Sequence, residues 1–193
     1  DRPHLLGDIY HSQIVEIGPP NANFDFTDPN EESFWRAQNN YQSFVRQHEG
    51  RANIIYAGAN DGMLHAFNAE TGQEEWGFVP PFIAGKLPTI INVGLDGKVD
   101  SGNGGSNAIF GVDGSPVVHD MFIKGLDISG AKESSPSWHT ILIAPYGRGG
   151  SGFSVLDITY PIIPGVQGPL HMFSIFNDAI NSRVLVADKD GII

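Results

Sequence analysis

The chain has 193 residues, room for one sizeable domain, and its 24 glycines and 13 prolines favour many short strands joined by turns. With 22 acidic against 11 basic side chains the net charge is -11, which disfavours a nucleic-acid partner because duplex binding depends on cationic contacts to phosphate. Cysteine is absent, which excludes thiolate metal sites, disulfides and cysteine nucleophiles, and no apolar run approaches the ~20 residues of a membrane-spanning helix.

Ile14-Val15-Glu16-Ile17 reads as a first short strand, closed by Gly18-Pro19-Pro20. One helix is expected over residues 29–47. Asp28 suits its N-cap, Pro29 its first position, and Glu31 and Glu32 the positive end of its dipole. Phe34, Gln38, Tyr41 and Val45 recur at helical spacing, so one face packs against a sheet, and Gly50 ends it. Strands then follow at 53–57, 63–68 and 74–79. They are punctuated by Asn60-Asp61-Gly62 and Thr71-Gly72, where glycine supplies the positive φ of a tight turn. A loop rich in glycine and asparagine covers 94–107, and strands resume at 115–123, 139–144, 153–158, 170–175 and 183–187. About eleven short strands with one peripheral helix make an all-β domain.

The strands repeat. Ser12-Gln13-Ile14-Val15, Ser115-Pro116-Val117-Val118 and Ser182-Arg183-Val184-Leu185 each begin on a serine, and Asp8 and Asp113 precede the first two. The next strands also agree, Ile54-Ile55-Tyr56-Ala57 with Ile141-Leu142-Ile143-Ala144, and each unit closes on an aromatic strand, at Trp76 and at Phe173. Four-stranded units in series are blades of a β-propeller, each burying its faces against its neighbours. Residues 1–193 would hold about two blades and the start of a third, against the ~4–8 of a closed ring. Further chain or a partner is therefore expected to cover the open faces, and any export signal to lie upstream of Asp1.

Candidate chemistry is sparse. Gly147-Arg148-Gly149-Gly150-Ser151-Gly152 has dinucleotide-loop spacing, but the following residues read as a strand where that loop must open a helix. His65 and His119 sit within strands, where hydrogen-bonded packing is the expected role, and nothing points to a Ser/His/Asp set. Asp96, Asp100 and Asn103 are the candidate calcium ligands. They lack the alternating acidic run closed by a glutamate, and the plainer reading is a solvated loop. Asp188-Lys189-Asp190-Gly191 reads as a hairpin turn. Trp76 is expected to lock adjacent blades, with the wall of a quinone pocket as its alternative.

Residues 54–74, from Ile54-Ile55-Tyr56-Ala57-Gly58-Ala59-Asn60-Asp61-Gly62-Met63-Leu64-His65 onward, resemble the C-terminal propeller of PilC/PilY-type proteins, the tip-associated adhesins and assembly factors of type IV pili. Leu6-Gly7-Asp8-Ile9-Tyr10-His11-Ser12, Val112-Asp113-Gly114-Ser115-Pro116 and Tyr146-Gly147-Arg148-Gly149-Gly150-Ser151-Gly152-Phe153 match in the same order. The resemblance implies a quinoprotein-like propeller of about seven blades on an extracellular, pilus-associated protein exported through the periplasm. It implies roles in pilus assembly, retraction and surface adhesion, with pilin subunits and an external surface as partners and without enzymatic activity. Some members bind calcium through an alternating aspartate loop; none occurs here, so those ligands transfer to no position. The rival readings are a quinone-dependent periplasmic dehydrogenase and a generic extracellular scaffold.

Overall fold

A computed structural model describes residues 6–90, 110–166 and 168–193. Among these residues nine strands form two antiparallel meanders in chain order. The first joins β1 (Val15–Ile17), β2 (Ile54–Gly58), β3 (Leu64–Asn68) and β4 (Glu74–Phe78). The second joins β5 (Val117–Ile123), β6 (Ser137–Pro145), β7 (Gly152–Asp157), β8 (Leu170–Asp178) and β9 (Arg183–Ala187). The all-β expectation holds, and the strands fall within about three residues of their expected bounds.

Period-two alternation selects the face that each sheet buries. The register sets Tyr56, Ala66 and Trp76 side by side across β2, β3 and β4. With Ile54 and Leu64 they pack on Leu142, Ala144, Leu156 and Ile158 of the second unit. Each fully buried leucine contributes about 2 kcal/mol. Trp76 locks the two units as expected: its indole N–H donates to the Pro161 carbonyl at 2.8 Å, and its ring lies 5.7 Å from that of Tyr56. Sheets burying one face against the next are the packing of propeller blades. The repeated residues tie the units at their starts. Ser115 Oγ accepts from the Gln13 N–H at 3.0 Å and His11 Nδ1 lies 2.7 Å from Asp113 Oδ2, while Ser12 Oγ accepts from the Gly58 N–H at 3.0 Å within its own unit.

Several elements depart from expectation. The strand expected to open a third unit, β9, pairs instead with β8 as the fifth strand of the second sheet, from Ser174↔Ala187 to Asp178↔Arg183. The cause is local, a single short turn (Ala179–Asn181) in which Asp178 accepts from the Asn181 N–H and from Arg183 Nε. So tight a link sets its two strands side by side.

The expected helix over 29–47 is broken into α1 (Glu32–Gln38) and α2 (Tyr41–Gln47). Asn40 between them is left-handed (φ 53°), a conformation that asparagine tolerates better than most residues. Asp28 does not cap. Its Oδ1 accepts from the Asn30 N–H at 2.9 Å in a local turn, and the N-cap is Glu31. Two further short helices, α3 (Pro81–Ala84) and α4 (Leu87–Ile90), follow β4 and were not expected. Among the described residues no helix is long and apolar enough to cross a membrane.

Candidate functional site

The residues singled out in the sequence prove mainly structural. Asp96, Asp100 and Asn103 lie outside the described residues. The Gly147–Gly149 segment is a 3-10 turn leading directly into β7, without the helix that a dinucleotide loop requires. Its glycines serve close approach. Gly147 has a φ of +57°, and a Cβ at Gly149 would collide with the Gly111 carbonyl. At residues 188–191 the expected turn forms, with Asp188 Oδ1 accepting from the Asp190 and Ile192 N–H groups. His65 is fully buried between Glu74 (2.6 Å) and Asp61 (3.0 Å). Burial alone would depress this imidazole, but its two carboxylate partners raise it above the ordinary value. His119 differs: it is half-exposed, with Nε2 3.7 Å from Glu32.

A concavity among the described residues lies elsewhere, between the helix pair and the second sheet. A cavity of about 500 Å3 opens there. Its helical wall is α2, which presents Ser43 and Gln47 on successive turns, with Asn40 just before its first residue. Phe122 near the end of β5, Leu126 and Ile128 in the following loop, and Tyr160 after β7 supply the apolar surface. Ser137 and His139 line it from β6, two residues apart and therefore on one face.

Ser137, His139 and Asp157 have the spacing of a nucleophile, base and orienting carboxylate. Ser137 Oγ is 2.7 Å from His139 Nε2, and His139 Nδ1 is in ion-pair contact with Asp157 Oδ2 at 2.6 Å. Glu133 changes what this arrangement does. Its Oε2 accepts from Ser137 Oγ at 2.6 Å and lies 3.0 Å from His139 Nε2. Burial by itself would lower the histidine, but Asp157 and Glu133 on either side raise it above its usual value. Ser137 Oγ and His139 Nε2 both face the Glu133 carboxylate, so the serine proton is directed to that carboxylate and not to the imidazole. Asp157 is fixed in turn, its Oδ1 accepting from the Thr159 hydroxyl and N–H at 2.6 and 3.0 Å. Chemically this is a clamp that ties the 124–136 loop to β6.

A second polar network seats the helix pair. Arg51 Nη1 donates to Thr140 Oγ1 at 2.7 Å and Nε to the Gly18 carbonyl at 2.8 Å. Thr140 donates onward to Asp120 Oδ1 at 2.7 Å, and the Tyr41 hydroxyl donates to Asp120 Oδ2. Burial, reinforced by Asp120, pushes the Tyr41 phenol well above its ordinary range, while burial lowers the Arg51 guanidinium. The Trp138 indole N–H donates to the Asn39 carbonyl at 2.8 Å, and its ring meets Tyr41 edge-on at 4.8 Å. Sequence reasoning missed both networks. The signal available was a histidine and a threonine, His139-Thr140, opening an otherwise apolar strand, since such groups are buried only with partners.

Comparison with known proteins gives consistent matches. A family described as the PilY1 beta-propeller domain matches residues 6–178. The type IV pilus biogenesis factor PilY1 of Pseudomonas aeruginosa (strain UCBPP-PA14) is 36% identical over 160 residues, 83% of this chain and 12% of that protein. A PilY1 homolog from Xylella fastidiosa is 32% identical over 83% of this chain and 11% of its own length. The crystal structure of the Pseudomonas aeruginosa PilY1 C-terminal domain is 34% identical, covering 68% of this chain and 20% of that one, with a TM-score of 0.41. The chain thus spans only 12% of the length of the first of these relatives.

Proposed function

This chain belongs to the PilY1 β-propeller domain family, and on that premise we propose that it is propeller blades of a type IV pilus biogenesis factor. In this reading it acts without catalysis, at the pilus on the cell surface after export through the periplasm. Its sheet edges and loops engage pilin subunits and an external surface. The observation that carries the reading is the family match over residues 6–178 together with 36% identity to a PilY1 across 83% of the chain. Further blades of the same protein, or a partner chain, cover the remaining sheet face. Val184 and Val186 on β9 are 63% and 53% exposed, an apolar strip of the kind that such packing buries. The non-catalytic part is supported by Glu133, which occupies both the serine hydroxyl and the imidazole nitrogen that a hydrolase would need free.

Deleting the gene should strip the cells of surface pili counted by electron microscopy and lower their attachment. The full-length gene should restore both, and a version lacking this segment should not. Normal piliation in the deletion strain would overturn the assignment. Quinone-dependent oxidation of alcohols or sugars by the purified full-length protein would overturn the non-catalytic reading and favour the dehydrogenase.

A further inference from the structure

We propose that the cavity between α2 and the 124–136 loop is a binding site for a neutral sugar. Its volume of about 500 Å3 falls in the range of small-ligand pockets, roughly 300–1,000 Å3. The choice of ligand follows from charge. Among the described lining residues there is no lysine or arginine, so an anionic ligand finds no counter-ion. The acids are already committed: Glu133 to Ser137 and His139, and Asp127 to Ser129 and the Ala131 N–H. His139 is flanked by the Asp157 and Glu133 carboxylates. His48, a buried lining residue, is lowered by burial and by the nearby Arg51, away from its charged form.

What remains uncommitted is neutral. Asn40, Ser43 and Gln47 line one wall, and their side chains make no hydrogen bond to the described residues. Two amides and a hydroxyl together offer both donors and acceptors. Across from them, Tyr160 and Phe122 are 44% and 40% exposed, aromatic surface that water covers at a cost. A pyranose has the complementary halves, a hydroxyl-bearing edge and a face rich in C–H groups that stacks on an aromatic ring. An extended peptide would need a free sheet edge to pair with. This wall is a helix, whose backbone groups bond internally.

The proposal is independent of the pilus reading, because it concerns small-molecule binding by the protein and not pilus number. The test uses the full-length protein, titrated with the methyl glycosides of glucose, galactose and mannose by calorimetry and saturation-transfer NMR. N-acetylneuraminic acid and glucosamine serve as charged counterparts. At least one neutral glycoside should bind at about millimolar Kd, and the charged sugars more weakly. Tyr160→Ala should weaken binding by about tenfold and Gln47→Ala by about fivefold. Tyr160 also packs edge-on against His48, so Ser43→Ala, which removes no ring, is the independent check and should weaken binding with an unchanged thermal midpoint. No saturable binding of any neutral glycoside would overturn the proposal. So would binding that all three variants leave intact, or charged sugars that bind as tightly as neutral ones.

Discussion

Where the two sheets meet, the contact is made by Ile54, Tyr56, Leu64, Ala66 and Trp76 against Leu142, Ala144 and Leu156. Where the helix pair meets the second sheet, it is made by hydrogen bonds linking Arg51, Thr140, Asp120 and Tyr41. The first junction is non-directional and scales with the area removed from water. The second has few permitted geometries and is costly if one member is lost. The difference follows from what each must do. Successive blades need a large, dry, repeatable face. The helix pair is an insertion between β1 and β2 that must find a single seat on a neighbouring sheet, and a polar network specifies that seat.

The apolar junction should be the more sensitive to truncation. Leu156→Ala is expected to cost about 3 kcal/mol in urea denaturation. A loss well under half of that would mean that the sheets are held elsewhere. Asp120→Ala should cost about 2 kcal/mol, because it strands the Tyr41 and Thr140 hydroxyls and removes the carboxylate nearest Arg51. Unlike the leucine variant it should also shift Trp138 fluorescence, since the helix pair that covers that indole is loosened.

Sensitivity to pH should come from outside both junctions, from His139 in the Glu133 clamp and from His65 between Asp61 and Glu74 in the first sheet. His139 and His65 are raised in the folded state. Their contribution is therefore complete below the unfolded histidine value of about 6.5 and is lost as pH rises through the folded value. Denaturation midpoints measured upward from about pH 7, where the lowered His48 and His171 have completed their opposite contribution, should fall, and His139→Asn should flatten part of that slope while His65 keeps the rest. A midpoint that rises over this range would reverse the assignment of charge to the clamp. Smallest of all should be Tyr56→Phe. The Tyr56 hydroxyl is buried with no hydrogen-bond partner among the described residues, so removing it should be neutral or stabilising by less than about 1 kcal/mol. A larger loss would show that the hydroxyl is satisfied after all.

Much of the β architecture was legible because its signals are short-range. The alternation in Ile54-Ile55-Tyr56 and the turns at Gly62 and Gly72, with φ of +94° and +71°, involve residues only a few positions apart. The repeated serines at 12 and 115 marked the unit starts for the same reason, although not that Ser115 bonds across to Gln13, and the one at 182 opens no new unit. Helix periodicity over 29–47 was real, but it did not register that Asn39-Asn40 would break the helix, because a left-handed residue between two apolar faces leaves the count of apolar positions intact. Of the site, the only part visible beforehand was its absence from the obvious motifs. The glycine-rich loop proved to be a matter of steric clearance, and His65 a satisfied core residue.

The amino-acid order alone settled strand positions, turn chemistry and blade-like repetition, since steric limits on φ and side-chain alternation act within a few residues. Tertiary structure alone decided that β9 joins β8, that the inserted helices sit on the second sheet and that His139 is clamped by two acids. These depend on partners such as Asn39 and Trp138, 99 positions apart, which only the packed chain brings within bonding distance.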